Sequence, residues 1–150
     1  MRPLLALFQN LVGDTEPAKD STETITLAAT ALMLEVARSD QVKKDVELKA
    51  IESILADTLN INLERVTDLI STAAESVDKA HDLYQFTQVI NDIYDYQTKK
   101  QLVFAMWQVA FADGHVEAIE AHIIRRVAGL IHVSHVDFIQ LKIQARDFSN

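Results

Sequence analysis

A chain of 150 residues that is 49% hydrophobic can bury one core without staples and is too short to need a second domain. It contains no cysteine, which excludes a disulfide framework, a thiolate metal site and a thiol nucleophile. Fourteen Lys and Arg against twenty-two Asp and Glu give a net charge of −8, which argues against nucleic acid as a partner and favours cations or a protein partner with a basic surface.

The N-terminal stretch MRPLLALFQNLVGD sets Leu4, Leu7, Phe8, Leu11 and Val12 at helical spacing. Gln9 and Asn10 interrupt the apolar run and no small-residue cleavage pattern succeeds it, so a signal peptide or membrane span is not expected and the protein is read as cytoplasmic. The expectation is a short helix packed on the domain, with peripheral membrane association or partner docking as the alternative. Gly13 and Pro17, in the polar segment GDTEPAKDST, separate it from the rest of the chain. Residues 1–21 are thus a short helix and linker, and residues 22–150 one helical domain.

Three Gly and two Pro, none of them expected inside the long apolar segments after residue 22, favour helices over strands. Ile25, Ala28, Ala29, Leu32, Val36 and Ala37 trace one amphipathic helix, and Leu48, Ile51, Leu55 and Leu59 a second. Asn62 is a good N-cap for a third, through Val66, Leu69, Ile70 and Ala73. Further helices fit residues 83–94, 99–112 and 117–131, and Ser134 with Asp137 three positions on resembles a capping box before Phe138 and Leu141. In the segment DLYQFT and beyond, Tyr84, Phe86, Val89, Ile90 and Ile93 fall at helical contact positions and read as core anchors. The fold expected is all-α, with about seven helices.

Sliding residues 29–74 onto 102–145, at an offset of 73 that falls to 72 after residue 55, reveals an internal repeat. Met33 meets Met106, Val36 meets Val109, Ala37 meets Ala110, Ile51 meets Ile124 and Ala56 meets Ala128. Helical patterning alone can produce such apolar matches. It does not account for Asp40 meeting Asp113 and Glu47 meeting Glu120, because a buried face does not require carboxylates.

In each copy an Asp stands at the expected end of one helix and a Glu seven residues later, in the first turn of the next. Hard cations such as calcium or magnesium need several oxygen ligands converging from a short backbone, which such corners can offer. Aligning Gly114 with the glycine of an EF-hand loop gives Asp113, Glu117 and Glu120 ligand positions, but Val109 and Phe111 occupy two others, so a true EF-hand is rejected. The candidate metal ligands are Asp113, Glu117 and Glu120, with waters or Asp40 and Glu47 completing the shell. The competing reading needs no metal: the Asp satisfies turn amides and the Glu caps its helix.

Other groups carry less chemistry. His132 and His135 straddle an expected loop, and His81, His115 and His122 lack ligand-spaced partners. Adjacent Arg125 and Arg126 point in different directions on a helix. Glycine-rich phosphate loops, nucleophile elbows and HExxH are absent from the sequence, so an enzyme is not expected.

The segment HDLYQFTQVINDIYDYQTKKQLVFAMWQVAFADGHVEAIEAHIIRRVAGLIHVS, residues 81–134, resembles the tellurite-resistance TerB-like family. The resemblance lies in the D-L-Y-x-F-T helix start at Asp82–Thr87, the A-D-G turn at Ala112–Gly114, the acidic pair Glu117 and Glu120, and an A-L-M-x-x-V-A-R-x-D element at Ala31–Asp40. It covers roughly residues 25–147. It implies an all-helical domain of two related halves whose acidic corners, here Asp40, Glu47, Asp113, Glu117 and Glu120, are proposed to bind metal. It also implies a non-enzymatic component of metal-stress or tellurite-resistance systems. Related domains beside J-domains in membrane-associated chaperones suggest scaffolding instead, and a carboxylate-dependent hydrolase is the remaining alternative. The first corner departs from the pattern in having Gln41 for the glycine, with Lys43 and Lys44 close by.

Overall fold

The structure is a computed structural model in which residues 19–39, 44–59, 62–80 and 82–149 are described. All regular structure among them is helical: α1 (Lys19–Arg38), α2 (Lys44–Leu59), α3 (Leu63–Lys79), α4 (Tyr84–Ile93), α5 (Tyr96–Ala110), α6 (Ala118–Leu130) and α7 (His135–Ser149). The all-α expectation is met by these seven; the helix expected at residues 4–12 lies outside the described residues. No helix among the described residues is long and apolar enough to cross a membrane.

Two helices organise the core. α1 packs on α2, α3, α4, α5 and α6, and α5 packs on α1, α2, α6 and α7. The scheme mirrors the sequence repeat, with α1, α2 and α3 answering to α5, α6 and α7. Each triplet packs within itself, α1 meets α5, and the contact of α1 with α6 is matched by that of α5 with α2. Burial repeats as well. Met33 and Met106, Val36 and Val109, Ala37 and Ala110, and Ile51 and Ile124 are all fully buried, as are Ala73 and its counterpart Ala145. α4 stands outside this symmetry and bridges α1 and α6.

Helix starts recur at matching places too. Asn62 caps α3 by accepting the Arg65 amide at 2.9 Å, and Ser134, 72 residues later, accepts the Asp137 amide at 3.2 Å. The Asp137 carboxylate is engaged elsewhere: its Oδ2 accepts the Tyr96 hydroxyl at 2.5 Å, while that hydroxyl oxygen accepts the Ser134 amide at 3.1 Å. These bonds fasten the start of α5 to the start of α7. The expected onset of α5 at residue 99 is three residues late, because Asp95 caps the helix by accepting the Thr98 amide at 2.8 Å and its hydroxyl at 2.6 Å.

Two further expectations are corrected. Gly129 lies inside α6, in its last turn, where the apolar pattern was expected to be free of glycine. In α4, Phe86 and Ile90 face the core, but Tyr84 is 60% exposed and Ile93 43%. Tyr84 is the first residue of its helix, with its amide bound to Asp82 Oδ1, and Ile93 is the last; the ends of this short helix run past the neighbours that cover its middle.

α6 ends in a Schellman turn, with Val133 N–H donating to Ala128 O at 2.9 Å and His132 N–H to Gly129 O at 3.2 Å. The turn puts His132 at φ 66°, a left-handed conformation that glycine adopts at little cost. His132→Gly is therefore expected to raise stability by about 0.5–1 kcal/mol in urea denaturation, against a loss if the imidazole itself supports the fold.

The two helix starts also make the fold acid-sensitive. The Tyr96 hydroxyl holds the Asp137 carboxyl below its usual range, and the Thr98 hydroxyl and then its amide do the same for Asp95. A depressed folded-state value means stabilisation that is present above the unfolded value, about 3.9, and is lost as pH falls through the folded one. Urea midpoints of the Asp95→Asn plus Asp137→Asn variant should fall less than those of wild type on going from about pH 5 to pH 3; parallel curves would contradict the assignment.

Candidate functional site

The second acidic corner is built by the end of α5 and the start of α6. Phe111 N–H closes the last turn of α5 on Trp107 O at 2.9 Å, and Gly114 N–H then reaches Phe111 O at 2.8 Å. Gly114 has φ 86°, so the reversal requires the left-handed region, although a Cβ there would meet nothing within 4 Å. Asp113, exposed at the tip, accepts the His115 amide through Oδ1 at 3.0 Å. His115 Nε2 in turn lies 3.5 Å from Glu117 Oε1, with both side chains open to solvent.

Glu117 occupies the N-cap of α6, and Glu120 reaches back so that its Oε1 accepts the Glu117 amide at 2.8 Å. Unlike an ordinary capping glutamate, Glu120 is fully buried. The corner is therefore layered: Asp113 and Glu117 at the mouth, Glu120 behind them in the core, at the positive end of α6.

At the first corner, Ser39 N–H and hydroxyl both donate to Val36 O, at 3.3 and 2.7 Å, at the end of α1. Asp40 lies outside the described residues, as do Gln41, Val42 and Lys43. Glu47 stands in the first turn of α2 and, like its counterpart Glu120, is fully buried. The two copies thus share a buried glutamate at repeat-equivalent positions, each in the first turn of the helix that follows its corner. Among the described residues no three His, Asp or Glu side chains gather closely enough to hold a metal ion by themselves.

The histidines are dispersed. His81 is outside the described residues, and His135 stacks on Phe138 at 5.9 Å. His122 lines a cleft of about 290 Å³ together with Glu35, Asp82 and Arg126. The adjacent arginines do diverge, Arg125 lying 5.6 Å over the Phe138 ring while Arg126 faces that cleft. A second concavity, which sequence reasoning missed, runs between α5 and α7. It measures about 420 Å³ and is lined by Phe104, Leu141 and Phe148 with Gln97, Lys100, Gln101 and Gln144. Its walls come from residues about 40 positions apart, so no local spacing announces it.

Residues 26–143 match the family model described as tellurite resistance protein TerB. The chain belongs to the TerB family. The match spans the described helices from α1 well into α7 and includes both corners, so the buried glutamates and the Asp113 turn are parts of the TerB domain. Residues 1–25 precede the matched region. No curated protein and no solved structure matches this TerB protein.

Gly114 and Gly129 offer a paired test of how the corner is held. Gly114→Ala should cost about 1–2 kcal/mol through its left-handed backbone, whereas Gly129→Ala, in a helix and equally open, should gain up to about 1 kcal/mol. Chemical denaturation reads both, and equal signs would refute the backbone argument.

Proposed function

We propose that this TerB protein is a non-enzymatic binding component of a metal-stress or tellurite-resistance system, whose acidic corners attract a hydrated divalent cation such as calcium or magnesium. Asp40 with Glu47, and Asp113 with Glu117 and Glu120, would form the acidic surroundings that draw it in. The observation that carries this reading is that Glu47 and Glu120 are both fully buried at equivalent positions. Capping alone does not ask for burial, since a solvent-exposed glutamate caps a helix equally well, and an ionised carboxylate removed from water needs strong compensation.

Carboxylates alone suit a hard cation and not zinc of the structural kind. Because no three ligating side chains gather among the described residues, the ion would keep much of its water, as magnesium does when one or two carboxylates hold it. Glu47 and Glu120 would act from behind, as fixed negative charge, while Asp113 and Glu117 meet the ion at the surface. The scaffold reading draws on a different surface, the open groove between α5 and α7.

Thermal unfolding with calcium, magnesium, manganese or zinc, each against chelator, tests the proposal. A cation at a hundred times its Kd adds about 2.7 kcal/mol of stability, an upward Tm shift of several degrees. Asp113→Ala plus Glu117→Ala should abolish the shift, and Glu47→Gln and Glu120→Gln should each weaken it. Identical shifts in all variants, or none in wild type, would leave the corners as helix caps.

A further inference from the structure

We infer that the cleft where α1, α3, α4 and α6 meet is a binding site for a small zwitterion, an apolar amino acid held by both of its charged ends. This is independent of the cation reading, since it uses none of the corner residues. The cleft measures about 290 Å³ and sets Glu35 of α1 and Asp82, just before α4, around the same hollow as His122 and Arg126 of α6. His122 and Arg126 are one turn apart and share a face of their helix, and Arg126 keeps its charge at every physiological pH. Arg125, its neighbour in sequence, lies over the Phe138 ring instead.

The charges are gathered but not matched. Among the described residues neither Arg126 nor His122 forms an ion pair or hydrogen bond with Glu35 or Asp82, although all four line one cavity. Asp82 is steadied by the Tyr84 amide, which donates to its Oδ1 at 2.8 Å. Opposite charges around one hollow that do not touch leave room for a bridging molecule of both signs. Its ammonium lies towards Glu35 and Asp82, and its carboxylate towards Arg126 and His122, the planar guanidinium being suited to grip a carboxylate through two parallel bonds. The two acids disfavour a simple anion, and Arg126 disfavours a bare cation.

Between the two signs the walls are apolar. Phe86 is buried, and Val77 and Ile123 pack on the core with part of their surface open. The volume lies at the lower edge of the ~300–1,000 Å³ typical of small-molecule sites, which suits a ligand of amino-acid size with an aliphatic side chain. Asp82 and Phe86 both belong to the DLYQFT stretch, which the acidic corners do not use. That stretch brings one charge and one apolar wall to the cleft.

The test titrates leucine into the full-length ¹⁵N-labelled protein, beside N-acetylleucine, which lacks the ammonium, and leucine amide, which lacks the carboxylate. Leucine at millimolar concentration should move the amide signals of Phe86 and Ile123 along a saturating curve. Each one-charge analogue should bind about tenfold or more weakly, the loss expected of a hydrogen bond to a charged group. Glu35→Gln and Arg126→Gln should each weaken leucine binding by a similar factor while the signals of the second corner stay in place. No saturable shift with leucine, analogues that bind as well as leucine, or both variants binding it like wild type would overturn the inference.

Discussion

A carboxylate removed from water is among the more costly things a helical core can contain, and this fold contains one at the same step of each half. Glu47 and Glu120 both sit in the first turn of the helix after a corner, both fully buried. That placement exploits the positive end of a helix, where unsatisfied amides and the macrodipole favour negative charge. In the second copy the structure shows part of the compensation, the Glu117 amide donating to Glu120. A cation at the mouth of the corner, beside Asp113 and Glu117, would supply more.

Everything that positions these groups depends on α1 and α5. Each is the hub of its own triplet, each meets the second helix of the other half, and they pack on one another. Their alanines and valines, such as Ala29, Val36, Ala37, Val109 and Ala110, are buried completely and let neighbouring helices come close. The helix ends are then fixed by short-range bonds: Asn62, Asp95 and Ser134 at starts, Gly114 and His132 at left-handed turns. A helix-turn unit repeated in sequence thus becomes a repeated geometry among the described residues, and Glu47 and Glu120 arrive at corresponding places because the hubs do.

The apolar skeleton was legible in the sequence because each helix buries one face, and a one-sided stripe shows up as a 3.6-residue period. The repeat was legible for the same reason, and its buried pairs coincide: Met33 with Met106, Ile51 with Ile124. What escaped depends on partners distant in sequence. The Tyr96–Asp137 bond joins residues 41 apart, and the groove between Phe104 and Leu141 exists only once α5 and α7 are side by side. Tyr84 shows the converse error, a residue with the right local period whose helix end is left uncovered. At the corner, sequence identified the acids but not their layering, because spacing places Glu120 on the first turn without saying that the core closes over it.

Cation binding at the corners is tested most sharply by watching the two buried carboxylates themselves. In a protein labelled with ¹³C at glutamate Cδ, with Glu47→Gln and Glu120→Gln used to assign the signals, calcium or magnesium is titrated in and the shifts are monitored. If the corners hold the ion, the signals of Glu47 and Glu120 move and saturate while solvent-exposed glutamates far from the corners, such as Glu64, stay fixed. Signals from both buried residues that ignore the cation, or shifts confined to exposed acids, would contradict it.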